Sequence, residues 1–152
     1  MTAAGTLELT SATRRDLPDV LALLQRNGLL ETGVEAALER FTVARADGVF
    51  VGCAGLEVYG KAGLLRSVAV ESQARNSGLG TALVNAVVAE ARKHGLRELY
   101  LLTTTAPAFF ARLGFRSLPR RAVPPAIAGS WEFRVGCPET ALIMRLPLQQ
   151  PS

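Results

Sequence analysis

No stretch of this sequence stays apolar for the roughly 20 residues that a membrane helix needs. A membrane-spanning role is therefore not expected. Cysteine is scarce: Cys53 and Cys137 are the only two, too few for a disulfide scaffold. Free thiols in a reducing, cytoplasmic compartment are expected. Histidine occurs once, as His94 before Gly95, where it reads as a helix end facing the dipole. The two cysteines lie far apart with no third soft ligand, so no metal site is expected. The opening "MTAAGTLELTSAT" has neither a basic start nor an apolar stretch, so no signal peptide is read. The net charge of +4 comes from scattered Lys and Arg, which gives no nucleic-acid stripe.

The chain is 49% hydrophobic and 20% charged over 152 residues, enough for one globular domain over 1–152 with a real core. A first strand is expected over 7–13. Asp16 and Pro18 open a helix with Leu17, Val20, Leu21 and Leu24 at helical spacing. A glycine-bearing loop (26–33) and a short helix (34–40) follow. Three strands with turns at "ADG" and "GKAG" then read as an antiparallel meander over 41–45, 49–59 and 64–70. The next helix runs from Gly78 to His94 and buries Leu79, Ala82, Leu83, Ala86, Val87 and Ala91. A strand (96–105), a short helix (106–114), a strand (115–118), an irregular stretch (119–139) and a last strand (140–146) complete the chain. The order is α+β, with the long helix as crossover between two parallel strands.

The stretch "RNSGLGT", Arg75 to Thr81, stands at the mouth of that helix. A helix's first turn leaves backbone N–H groups unpaired and partly positive. Glycines let an anion come close, and Arg75 adds a fork of donors, so the stretch reads as a pyrophosphate cradle or as an ordinary strand-to-helix turn. Rival phosphate motifs fail. A Walker loop needs a lysine before Thr81, and the dinucleotide fingerprint needs a glycine where Leu83 sits.

Strand "SVAV" followed by R-x-x-G-x-G resembles the acetyl-CoA site of the GNAT N-acetyltransferase superfamily, and "FFARLGF" (109–115) resembles its Y-x-K-x-G-F element. The element order matches from about residue 7 to 146. Within the superfamily, "GLLETGVEAALERFTVA" and "LRELYLLTTTAPAFFARLGF" resemble amino-acid N-acetyltransferases of the N-acetylglutamate synthase type and arsenic-resistance N-acetyltransferases. "LRSVAV" and "IAGSWEFRVGCPETALIMR" look more like the arsenic-resistance group. The resemblance implies a mixed central sheet splayed between its fourth and fifth strands, with helices on both faces. It also implies acetyl transfer from acetyl-CoA to a small amine, an acidic amino acid or a glutamate-like arsenic compound, by direct attack in a ternary complex. No metal, nucleic acid or membrane partner is implied; a monomer or a homodimer is left open.

By the same resemblance, Val68, Ala69 and Val70 pair through their backbone with the pantetheine arm. The diphosphate falls on Arg75, Asn76, Ser77, Gly78, Leu79, Gly80 and Thr81. A backbone N–H near Val70 faces the thioester carbonyl as an oxyanion contact. The usual tyrosine acid falls at Phe110, which donates no proton, so Phe109 and Phe110 are read as core and cofactor packing. A thiol of pKa near 8.5 is a tolerable leaving group that water can reprotonate; Tyr59 and Tyr100 are the other acids in view. An α-amino group, of pKa about 8, needs a water path more than a strong base, whereas a lysine costs about 3 kcal/mol more to deprotonate. Glu57 is the candidate base through water, or a solvated strand residue. Arg66 interrupts an apolar strand and is expected either to meet a substrate anion or to pair with an internal acid such as Glu57. Alternation puts it on the face of Val68 unless a bulge intervenes. Asn27, Thr103 and Thr105 are candidate substrate contacts. A protein or peptide N-acetyltransferase and a non-catalytic acyl-CoA sensor are the alternatives.

Overall fold

The computed structural model describes residues 6–130, 133 and 141–148. Seven strands form one mixed sheet in the order β1-β2-β3-β4-β5-β7-β6. They are β1 (Leu7–Ser11), β2 (Phe41–Ala46), β3 (Val49–Tyr59), β4 (Ala62–Val70), β5 (Glu98–Thr103), β6 (Arg116–Ser117) and β7 (Leu142–Pro147). Helices α1 (Leu17–Arg26), α2 (Val34–Ala37), α3 (Leu79–Lys93), α4 (Pro107–Arg112) and α5 (Pro125–Ala128) connect them. Every expected element is present within a few residues of its expected bounds. The helix expected over 34–40 divides into α2 and a 3-10 turn, Leu38–Arg40. The region 134–140, with Cys137, lies outside the described residues.

The contacts gather into two compact units. One holds the chain up to Gly55 together with Ser67–Val87; the other holds Leu56–Arg66 and the chain from Val88 onward.

In the first unit, β1 and β2 pair antiparallel, as do β2 and β3. A 3-10 turn, Arg14–Asp16, leads into α1 and is capped reciprocally by Thr13 and Asp16. The Asp16 carboxylate accepts from the Thr13 backbone N–H at 2.8 Å and pairs with Arg45. The apolar stripe Val20, Leu23 and Leu24 then packs with Val34, Leu38, Phe41, Val43 and Cys53. Cys53 is buried among these groups, and burial pushes its thiol up to about 12; its Sγ donates to the Ser67 carbonyl at 3.4 Å.

In the second unit, the parallel register joins Ala62–Leu64 of β4 to Glu98–Tyr100 of β5. β5 pairs antiparallel with β7 along its whole length, and β7 with β6. The core here gathers Leu64, Tyr100, Val123, Ile127, Phe133 and Ile143. Tyr100 donates its hydroxyl to Glu98, and burial first, then Glu98, pushes its phenol up to about 12.

Candidate active site

β4 departs from simple alternation at Ser67, whose φ is +60°. A non-glycine residue in the left-handed region is uncommon, and inside a strand it acts as a local kink. Arg66 and Ser67 are both buried, as are Gly63, Leu64 and Leu65 before them, and the alternation that would give Arg66 and Val68 one face is interrupted at Ser67. Beyond the kink, Val68 and Val70 are half-buried and Ala69 is buried.

The chain leaves β4 through Glu71, whose N–H donates to the Val51 carbonyl at 2.9 Å. A 3-10 turn, Ser72–Ala74, follows, and Arg75 is extended. Asn76 (φ +65°) and Gly78 (φ +82°) are both left-handed, and Ser77 Oγ donates back to the Ala74 carbonyl. The turn therefore reverses twice in three residues before α3 begins at Leu79. The first bond of the helix runs from Ala82 N–H to Gly78 O at 3.1 Å. The N–H groups of Leu79, Gly80 and Thr81 thus lie in the first turn, where a helix offers them no internal acceptor. Leu79 sends its side chain into the core, whereas Arg75, Asn76, Ser77 and Gly78 are exposed. A Cβ placed on Gly78 meets no atom within 4 Å, so the backbone there is open to approach. Open, left-handed backbone ahead of a positive helix end is an arrangement that can accept an anion.

Asn27 closes the C-terminus of α1 and reaches this turn. Its Nδ2 donates to the Leu23 carbonyl at 2.9 Å, and its Oδ1 accepts from Arg75 Nη2 at 2.8 Å. Next to it, Arg26 Nη2 lies 2.6 Å from Glu71 Oε2.

A second cluster is built on the other unit. Arg66 Nη1 donates to Glu57 Oε2 at 2.7 Å, with the Arg66 side chain fully buried and that of Glu57 only 10% exposed. Tyr59 donates its hydroxyl to the other Glu57 oxygen. Both oxygens of one buried carboxylate are thus engaged, one by a cation and one by a phenol. Arg66 meets the internal acid that sequence reasoning held as its structural partner, and Tyr59 is the member of the cluster that spacing alone did not join to it.

Thr103 is buried, and its Oγ1 accepts from the Ala106 N–H at 3.0 Å, tying the end of β5 to the start of α4. Thr105 is exposed. Phe110 is buried edge-on between Phe109 and Phe115, at centroid distances of 5.0 and 5.8 Å, so this position packs an aromatic cluster. His94 sits at the end of α3 with Nε2 3.4 Å from Glu90. Among the described residues no three His, Cys, Asp or Glu side chains are grouped for a metal, and no helix is long and apolar enough to cross a membrane.

Known proteins resemble this chain at both levels. An amino-acid acetyltransferase of Salmonella typhi is 32% identical over 126 residues, which is 77% of this chain and 28% of that protein. The chain thus spans little more than a quarter of the length of such relatives. The N-acetylglutamate synthase of Neisseria gonorrhoeae, solved with coenzyme A and N-acetyl-glutamate, superposes with a TM-score of 0.83 at 23% identity, over 98% of this chain and 37% of that one. The protein Rv2747 of Mycobacterium tuberculosis, solved with CoA and NLQ, superposes at 0.81 with 25% identity, over 93% of this chain and 99% of that one. A model of the acetyltransferase (GNAT) domain matches residues 37–117. With just over half of its length matched and the expected fold present, this chain belongs to the GNAT acetyltransferase family.

Proposed function

We propose that this chain transfers the acetyl group of acetyl-CoA to the amine of a free amino acid. The observation that carries the reading is the open turn Arg75–Thr81, with left-handed Asn76 and Gly78 ahead of α3. The names of the amino-acid acetyltransferases, 32% identical over 126 residues, support the acceptor class. An acidic amino acid is the favoured member, because the structural neighbour carrying N-acetyl-glutamate has the same fold; a glutamate-like arsenical belongs to the same chemical class.

Bound acetyl-CoA supplies a thioester whose carbonyl carbon accepts the amine. The first-turn N–H groups of Leu79, Gly80 and Thr81, with Arg75, Asn76, Ser77 and Gly78, hold the diphosphate. Val68, Ala69 and Val70 extend their backbone along the pantetheine arm, and the Val70 N–H meets the charge that develops on the carbonyl oxygen. Glu57 takes the amine's proton through water, since each of its engaged oxygens keeps a further lone pair. Arg66 holds that carboxylate in place rather than the substrate. Phe110 has no proton to give, so the departing thiolate is reprotonated by water. Phe109 packs beside the cofactor. Thr103 and Thr105 are left as contacts for the amine, Thr103 through the hydrogen of a hydroxyl whose oxygen is already engaged; Asn27, engaged by Leu23 and Arg75, is not among them. The active unit is a monomer or a homodimer, and its compartment the cytoplasm.

Calorimetry with acetyl-CoA, paired with thiol release over free amino acids, a glutamate-like arsenical and short peptides, tests the reading. Turnover on free amino acids, highest for glutamate-like ones, is expected. Turnover on peptides alone overturns it. Phe110 supports a second reading, an acyl-CoA sensor, which binding without turnover on any amine would favour.

A further inference from the structure

The two side-chain links between the end of α1 and the turn ahead of α3 are not explained by folding requirements alone. Both join half-exposed or exposed partners more than 40 residues apart in sequence, where a purely structural hydrogen bond stabilises little. Their placement is selective: they end on Glu71 and Arg75, the two charged residues of the turn. Glu71 is the sole acid between Val70 and Glu90. A free carboxylate in this turn would repel an arriving diphosphate, and Arg26 neutralises it at 2.6 Å. Arg75 is exposed on a long side chain with many rotamers, and would lose that freedom on gripping a phosphate. Asn27 already holds it, by one Nη2 hydrogen at 2.8 Å, which leaves four of the guanidinium's five donors.

We infer that Asn27 is a positioning residue for Arg75, and that Arg26 and Asn27 together form a clasp that preorganises the diphosphate cradle. The inference rests on the acetyl-CoA reading of the turn. Asn27 is suited to the task because its amide is itself fixed: Nδ2 is spent on the Leu23 carbonyl at 2.9 Å, which turns Oδ1 outward. The end of α1 is thereby coupled to cofactor binding. The clasp acts on affinity for the diphosphate-bearing carrier and leaves the chemical step alone.

A double-mutant cycle tests it, with calorimetry on acetyl-CoA and on acetyl-pantetheine, which lacks the diphosphate. Asn27→Ala is expected to weaken acetyl-CoA about three- to tenfold, to leave acetyl-pantetheine unchanged, and to raise the KM for acetyl-CoA without lowering kcat. In the Arg75→Ala background the same substitution is expected to cost nothing further. Asn27→Ser, whose hydroxyl is too short to reach Arg75, replaces Asn27→Ala should that variant not fold. Equal losses in both backgrounds, or equal losses on the two ligands, make Asn27 merely structural and overturn the clasp while the cradle stands. If Arg75→Ala and Gly78→Glu both leave acetyl-CoA affinity unchanged, the cradle reading itself fails, and the clasp with it.

Discussion

Gly78→Ala separates the two demands made on one residue. Gly78 has φ +82° and Gly60, in the β3–β4 turn, has φ +65°; a Cβ on either meets no atom within 4 Å. Neither alanine creates a clash, so both carry the same cost, that of placing an L side chain in the left-handed region, about 1–2 kcal/mol. For a chain of this size that lowers Tm by roughly 2–8 °C. The two differ in what approaches from outside. On the proposed acetyl-CoA reading, the methyl added at Gly78 intrudes where the diphosphate comes to the backbone. Losing one charge-assisted hydrogen bond there costs about 1.5–3 kcal/mol, a fall of roughly ten- to a hundredfold in acetyl-CoA affinity. Thermal unfolding and calorimetry on the two variants side by side read both quantities. Matched falls in Tm with affinity lost only at Gly78 are expected. Affinity within about twofold of the parent for Gly78→Ala, or the same loss in both variants, refutes the reasoning.

Two further outcomes follow from the second unit. Glu57→Gln removes the opposite charge beside a fully buried Arg66 and is expected to destabilise the fold by about 3 kcal/mol in urea unfolding; a loss below about 1 kcal/mol would mean that the pair does not anchor β4. Tyr100 has a folded-state pKa of about 12, above the usual value near 10. The folded state therefore holds that proton more tightly, and the resulting stability is present below pH about 10 and is lost as pH rises toward 12. Denaturant titrations should show the parent losing stability over that interval faster than Tyr100→Phe, and parallel curves would contradict the assignment.

The parts of this molecule that follow local rules could be read from its residues. Hydrophobic spacing gave α1 and α3, and the turns "ADG" and "GKAG" separated three strands that do pair in sequence order. The crossover argument for α3 anticipated that β4 and β5 run parallel. The turn ahead of α3 was legible because its conformation needs residues that tolerate positive φ, and Asn76 and Gly78 are such residues. Ser67 was not visible for the converse reason: a serine carries no signal for φ +60°, so period-two alternation was the best available guide to Arg66. Contacts between distant side chains were the other blind spot. Arg66 admitted two readings, and the fold brings it against Glu57 at 2.7 Å. The links of Arg26 to Glu71 and Asn27 to Arg75 join residues 45 and 48 positions apart, and no local pattern announces them.

The account depends most on amide groups at the entry to α3 receiving an anionic carrier. Titrating acetyl-CoA into nitrogen-15-labelled protein and following each amide resonance measures this directly. The largest changes are expected on Asn76 to Thr81, with a second set on Val68 to Val70. Resonances there that stay still while others move, or a spectrum that does not respond to acetyl-CoA at all, would contradict it.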